Sequence, residues 1–399
     1  YQAMLPAPRC DLPSLPEGAL PMDPPLPVAL LSELERVPDP RFPYWHRHKL
    51  VDLLTIALCA VISGADSWVE VADWGQEKAG WLHTFLELPA GIPAHDTFSR
   101  LFRSLDPDAL ETVLLGWVRA TLPEPAPGSV IAVDGKTLRR SHDRSTGSPA
   151  LHLISAWATE WGVSLGQWVV PGHTNEITAL PDALAVVTLP GTVITLDAMG
   201  CQREVAATIT AGGGDYVLAL KGNQSQLHAD VRDFFVDGLA TGFAAPVDQA
   251  ETHEKGHGRI EKRTCWASED AEFLRYLDPD GRWAGLRSVA LVQAERTMGA
   301  VKTTEQRYYL SSLAADAARL NRIVRTHWQI ENQLHWVLDT AFGEDQCRVR
   351  MGVGAQNLAL LRRIALSLLK QDRSTKLGIK GKRLKAGWNE HYLLHILTQ

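Results

Sequence analysis

Three acidic residues stand where phosphoryl chemistry could use them. Asp134 closes a short β-branched run, Val130 to Val133, and Asp197 closes another, Thr192 to Leu196. Ligand sites on mixed and parallel sheets gather at such strand ends. Two carboxylates there repel unless something neutralises them, and a divalent cation does so while gaining hard oxygen ligands. Glu331 belongs to a stripe: His327, Glu331, His335 and Asp339 recur every four residues, so they share one slowly drifting helix face. Trp328, Ile330, Leu334, Trp336 and Leu338 surround that stripe. Burying it without a purpose is costly, whereas a solvated face would carry it freely. A zinc site from His327, Glu331 and His335 lacks the His-Glu-x-x-His spacing of metalloproteases. Taken singly, Asp134-Gly135 and Asp197-Ala198 are also common turn signals.

These residues need a sheet and a helix to hold them. The texture predicts strands at Val130–Val133, Leu151–Ala158, Val163–Val170, Thr192–Leu196 and Asp215–Leu220, and helices at Thr178–Val187 and Cys201–Ala211. Three strands in succession favour hairpins, and the later alternation favours parallel pairing. The expected core is therefore an α/β mixed sheet flanked by helices, over 129–221 and 311–370, with a strong helical period from Ala314 to Leu338 and a last helix near Ala355–Lys370. Between its halves, residues 222–310 read as a β-rich insertion: a polar loop from Glu251 to Arg263, then strands near Thr264–Ala267, Ser288–Glu295 and Thr303–Leu310.

Before the core, residues 1–27 form a proline-rich arm and 28–122 a helical N-terminal domain, closed by the breaker cluster Pro123 to Gly128. Within it, Thr97 to Arg103 exposes Ser99, Arg100 and Arg103, as the second helix of a helix-turn-helix would, though a plain helical bundle fits equally. After the core, 371–399 is a basic tail. From Arg362 to Lys385 nine Lys or Arg stand against the single acid Asp372.

Composition narrows the function classes. With 399 residues, 45% hydrophobic and 22% charged, the chain can bury a large core and is not a disordered or collagen-like polymer. Cys10, Cys59, Cys201, Cys265 and Cys347 are scattered, without a Cys-x-x-Cys pair, so neither a disulfide scaffold nor a zinc ribbon is expected, and a reducing cytoplasm is the default compartment. The chain opens Tyr1-Gln2-Ala3-Met4, with Met4 read as the natural start, and no secretory pattern follows. The apolar run from Leu53 to Ala65 is too short for a membrane span, which needs about 20 residues. The net charge of −6 means that nucleic acid would have to be met by local patches.

Longer words around the three acids carry a resemblance. Ala132-Val133-Asp134-Gly135-Lys136-Thr137-Leu138-Arg139 and Thr195-Leu196-Asp197-Ala198-Met199-Gly200-Cys201-Gln202 resemble the two aspartate blocks of the H-repeat-associated (ISAs-type) insertion-sequence transposases of the DDE superfamily. Tyr216 to Gln224 and His257 to Arg263 resemble two further blocks, and His327 to Asp339 the glutamate block. The likeness runs over about residues 28 to 370. It implies a ribonuclease-H-like core, a catalytic and metal-holding triad of Asp134, Asp197 and Glu331, and Mg²⁺ or Mn²⁺, two ions, as cofactor. It implies DNA strand cleavage and transfer at the ends of an insertion sequence. Many cut-and-paste relatives place a tyrosine and an arginine before the glutamate and a lysine seven after it. Here those positions hold Val324, His327 and Leu338, so their hairpin chemistry is not carried over.

Double-stranded DNA is the expected partner, held by a homodimer or higher oligomer in the cytoplasm at the nucleoid. The residues expected to touch it are Lys136, Arg139, Arg140, Lys221, Asn223, Gln224, His257, Arg259, His327, His335, Arg348, Lys380, Lys382, Arg383 and Lys385. Trp266 and Trp283 could stack on an unpaired base or fill a core. No Gly-x-x-x-x-Gly-Lys-Ser/Thr loop is present, so ATP is not expected. Two other readings stand: a domesticated host nuclease or recombinase of the same fold, and a DNA-binding protein that no longer turns over. The intact acid triad speaks against the last.

Overall fold

A computed structural model describes residues 27–42, 47–120, 126–142, 147, 149–171, 176–187, 189–256 and 258–398. The expected proline-rich arm lies, but for Pro27, outside the described residues. Nine strands form one sheet: β1 (Val130–Thr137), β2 (His152–Ala158), β3 (Val163–Val170), β4 (Val193–Leu196), β5 (Asp215–Leu220), β6 (Asp248–Gly256), β7 (Arg259–Ser268), β8 (Ser288–Met298) and β9 (Val301–Ser311). Their order is β3-β2-β1-β4-β5-β9-β8-β7-β6. The first three are antiparallel neighbours, β4 and β5 run parallel to β1, and this half has the ribonuclease-H-like order.

The segment 222–310 holds strands, as expected, but they are not set apart. β9 pairs with β5 from Val217↔Ser311 to Leu220↔Tyr308, so β6 to β9 extend the same sheet. The stretch expected as a polar loop, Glu251 to Arg263, is instead most of the β6–β7 hairpin, paired from Asp248↔Ala267 to Gly256↔Arg259. Its β6 half is almost wholly exposed, which removes the apolar alternation that marks a strand in sequence. A helix over Ser225–Thr241 follows β5 and escaped the sequence reading.

Side-chain alternation decides which face each residue reaches. On β1, Ile131 and Val133 join the core under the helices Glu176–Val187 and Arg203–Ala211. Val130 and Ala132 point to the other face, where Ala317–His327 and Gly354–Gln371 pack. The long helix 317–341 is interrupted by a π turn at Glu331–His335, where the Trp336 N–H donates to the Glu331 carbonyl five residues back. In an α-helix a four-residue spacing drifts by about 40° per step. The wider turn takes up part of that drift and keeps the polar stripe together.

The helical N-terminal region holds the helices Leu50–Ile62, Trp68–Glu77, His95–Phe102 and Pro107–Ala120. Ser67 accepts a hydrogen bond from the Glu70 N–H and caps the second of them. Their apolar faces close around Gly354–Gln371, which thereby ties this region to the sheet. Among the described residues no helix is long and apolar enough to cross a membrane.

Candidate active site where strands β1 and β4 part

The parallel register of β1 and β4 ends at Val133↔Leu196. The next residue on each strand is an aspartate, so the register sets Asp134 beside Asp197. β1 itself does not end at Asp134, as the sequence suggested, but continues to Thr137 against β2. Alternation sends Asp134 to the face of the helix 317–341, where Glu331 and His335 wait. His335 is buried, and its Nδ1 lies 3.2 Å from Glu331 Oε2 and 3.5 Å from Asp134 Oδ2. Asp197 caps a short turn by accepting from the Met199 N–H at 3.0 Å. Asp134, Asp197 and Glu331 line one cleft of about 190 Å³.

The electrostatics are those of clustered, buried acids. Burial, the nearby His335 notwithstanding, pushes Asp134 up to about 6, and Asp197 and Glu176 add to the rise. Burial and then Glu176 also raise Asp197. Glu331 is lowered, chiefly because His335 hydrogen-bonds to it. Asp134, Glu331 and His335 each offer one ligand atom, all within 4.8 Å of one another, so the donor set fits a divalent cation. Asp197 stands alongside this group rather than within it.

The other expected contacts divide into exposed and committed groups. Arg139, Arg140, Lys221, Arg259, Arg348 and Lys380 are exposed. Arg139 pairs with Asp345 at 3.2 Å and Arg259 with Glu261 at 3.9 Å. His257 lies outside the described residues. Asn223 donates to the Ala198 carbonyl and Gln224 to the Cys201 carbonyl, so both brace the turn behind Asp197. His327 Nδ1 meets Thr195 Oγ1 at 2.9 Å, and burial lowers its pKa to about 4.

Other expected contacts are held inside the fold. Lys136, expected to touch DNA, is engaged within the fold. Its Nζ is spent on Asp339 at 2.5 Å and Glu344 at 3.1 Å. His335 is too deeply buried to reach a phosphate. Lys382 donates to the Leu369 and Asp372 carbonyls, and Arg383 to the carbonyls of Val61, Ala65 and Ala341 and to Asp66, so both are interior. Trp283 is 3% exposed and belongs to a core, while Trp266 packs partly against the same cluster. Much of the basic tail is folded into the helices Ile379–Trp388 and Glu390–Thr398, and Arg362 and Arg363 are buried too.

Sequence reasoning missed neighbours of the site. Glu176 and His152 are hydrogen-bonded at 2.5 Å. A Cβ on Gly135 would overlap both, so the glycine after Asp134 is what lets that pair approach β1. This was a usable signal, read only as a turn. Arg307 lies over the Trp328 ring, 4.3 Å from its centroid, at the cleft wall.

Comparison with known proteins agrees with this geometry. The family described as Transposase DDE domain matches residues 125–368, and one described as DDE_Tnp_1-associated matches 31–118. The chain is similar to YncI of Escherichia coli O157:H7, 37% identical over 93% of this chain and 94% of that one. It is similar to the H repeat-associated protein YhhI of Escherichia coli K12, 35% identical over 92% of this chain and 97% of that one. Both are named as candidate transposases. A solved synaptic complex of piggyBac transposase with hairpin DNA aligns at TM-score 0.44 and 10% identity, over 90% of this chain and 79% of that one, a likeness too slight to bear on mechanism. Two aspartates brought side by side by the β1–β4 register, a glutamate on the helix above them and a family match spanning most of the chain lead to one assignment: the protein belongs to the DDE transposases, enzymes that cleave and transfer DNA strands.

Proposed function

We propose that this chain cuts and joins double-stranded DNA at the ends of its own insertion sequence, using Asp134, Asp197 and Glu331 with two Mg²⁺ or Mn²⁺ ions. The observation that carries this is the β1–β4 register, which sets two aspartates side by side under Glu331 in one cleft. Two cations held by such carboxylates would activate the attacking water or 3′-hydroxyl and stabilise the leaving oxygen. The chain's own part is to hold three carboxylates in place before substrate arrives. Asp197 is fixed by its bond to the Met199 N–H, and the turn behind it by Asn223 and Gln224. Glu331 is fixed by His335. Exposed Arg139, Arg140, Lys221, Arg348 and Lys380 would meet phosphates at the cleft and along the surface. The enzyme would act as an oligomer on DNA, in the cytoplasm at the nucleoid, without ATP.

The test is a labelled duplex carrying the sequence that flanks the gene, incubated with protein in Mg²⁺ or Mn²⁺ and, for binding alone, in Ca²⁺. Cleavage at the element boundary and covalent joining to a target duplex are expected. Binding in Ca²⁺ with no cutting in either active metal would refute the catalytic assignment.

A further inference from the structure

His335 is more than a brace. It is 3% exposed, and both polar contacts of its ring run to carboxylates of the site: Glu331 Oε2 at 3.2 Å and Asp134 Oδ2 at 3.5 Å, both from Nδ1. Its Nε2 has no partner among the described residues. What sets this ring apart is that its one engaged nitrogen, Nδ1, lies between two carboxylates of the site. His327, two turns earlier on the same stripe, is the contrast. Its Nδ1 is engaged by Thr195, a residue with no part in the acid group.

We infer that His335 Nδ1 is a ligand of the cation shared by Asp134 and Glu331, which makes that position a site of two carboxylates and one imidazole. The inference rests on the acid-triad reading and adds a fourth residue to it. The geometry is already that of a coordination shell. Neighbouring ligands around an octahedral ion with bonds of about 2.1 Å stand roughly 3.0 Å apart, and opposite ones about 4.2 Å. The Nδ1–O separations of 3.2 and 3.5 Å, and the 4.8 Å limit on the whole group, need only a slight contraction to reach that shell. The helix holds the ring ready for it. His335 closes the π turn that begins at Glu331, and its carbonyl accepts from Lys136 Nζ at 3.3 Å, which ties it to β1 two residues beyond Asp134. A nitrogen donor has a chemical consequence. Oxygen-only sites suit Mg²⁺ and Mn²⁺ alike, whereas imidazole favours transition metals, so this position should prefer Mn²⁺.

The experiment is pulsed electron paramagnetic resonance of Mn²⁺ bound to the full-length protein, with Mn²⁺ and Mg²⁺ affinities measured beside it. A directly coordinated imidazole ¹⁴N should modulate the wild-type echo and change to the ¹⁵N pattern in protein grown on ¹⁵N-histidine. His335→Gln should lose the modulation and weaken Mn²⁺ binding on the order of tenfold or more, with a smaller loss for Mg²⁺. If His335→Gln does not fold, His152→Gln and His327→Gln decide the matter: modulation that survives both belongs to His335. Mn²⁺ that binds in wild type, is lost in Asp134→Asn and shows no nitrogen coupling overturns the inference while the acid-triad reading stands. Coupling that persists in His335→Gln also overturns it. Mn²⁺ binding unaffected by Asp134→Asn removes the triad reading itself.

Discussion

Asp134 and Lys136 sit two residues apart on β1 and point to the same face, yet they end in opposite electrostatic circumstances. Around Lys136 every charge is matched. Its Nζ bonds Asp339 and Glu344, and the other Glu344 oxygen takes Arg363 at 3.0 Å. Burial alone would raise the Glu344 pKa, but Arg363 and Lys136 outweigh it and hold the carboxyl down to about 2. Around Asp134 two carboxylates, its own and that of Glu331, share His335, with Asp197 and Glu176 nearby, and burial raises Asp134 to about 6. The same strand and the same helix serve both places, Glu331 and His335 facing one and Asp339 the other. The fold thus builds a finished ionic cluster and, beside it, an unfinished one. The finished cluster fixes β1 to the helix 317–341. The unfinished one is left to accept positive charge from outside.

The largest effect should come from the unfinished site. Asp134→Asn, Asp197→Asn and Glu331→Gln should each reduce strand cleavage by at least about 10³-fold, since on the proposed function each would take a charged ligand from the cations that would stabilise the reacting oxygens. Binding of element-end DNA in Ca²⁺ should change little. Normal cutting by all three variants would place the active site elsewhere.

Next comes the finished cluster, whose loss should appear as instability rather than as failed chemistry alone. Glu344→Gln strips Arg363 and Lys136 of their shared carboxylate, and breaking a buried pair costs about 3–5 kcal/mol. Urea denaturation should show that loss. The pH dependence gives it a sign. Because the folded Glu344 carboxyl is depressed to about 2, its contribution is full above the ordinary carboxylate range and disappears as pH falls towards 2. A wild-type stability curve that is flat through that window would mean the cluster is not what fixes the helix.

Asp134 should behave oppositely. Its folded pKa is raised from 3.8 to about 6, so the native state keeps a proton that the unfolded chain gives up. Stability therefore falls as pH rises through that interval, and the penalty is fully present above it. In EDTA at pH 7, Asp134→Asn should be more stable than wild type by about 1–2 kcal/mol, a figure below the full two-unit shift because the group is partly solvated. A destabilised variant would mean that Asp134 is held by its contacts rather than strained by its neighbours.

The sequence made the two places unequally legible. The acids at the site follow β-branched runs or recur every four residues, and those patterns survive without a structure. Strands β3 and β5 are readable to the residue because their signals are local. The finished cluster was not readable. Lys136 and Glu344 are 208 residues apart in the chain, and nothing local marks either as buried. Lys136, Lys382 and Arg383 read as surface charge in the sequence because composition counts charges without saying what faces them. β6 was lost for the related reason that an exposed edge strand has no apolar alternation. The π turn, which depends on how the helix is packed, left no mark in the four-residue stripe.

The same distinction between matched and unmatched charge governs the C-terminal helices, where the effects should be smallest and most specific. Lys380 and Lys382 are two residues apart on the helix Ile379–Trp388. Lys380 is exposed, while Lys382 is 6% exposed and anchored on the Leu369 and Asp372 carbonyls. Lys385 lies over the Tyr392 ring, 4.2 Å from its centroid. Counterion release depends only on charges that reach phosphates, at about 0.9 in the log–log salt slope for each. Lys380→Ala with Lys385→Ala should therefore lower that slope by up to about 1.8, with the fold intact. Lys382→Met should leave the slope as it was and instead lower the melting temperature, because two carbonyls and the Asp372 carboxylate lose their cation. DNA affinity measured between low and moderate salt, beside thermal melts of the same variants, separates the two outcomes. A slope that falls for Lys382→Met while the melt does not move would put this lysine on the DNA, and the helix would have to turn outward to bring it there.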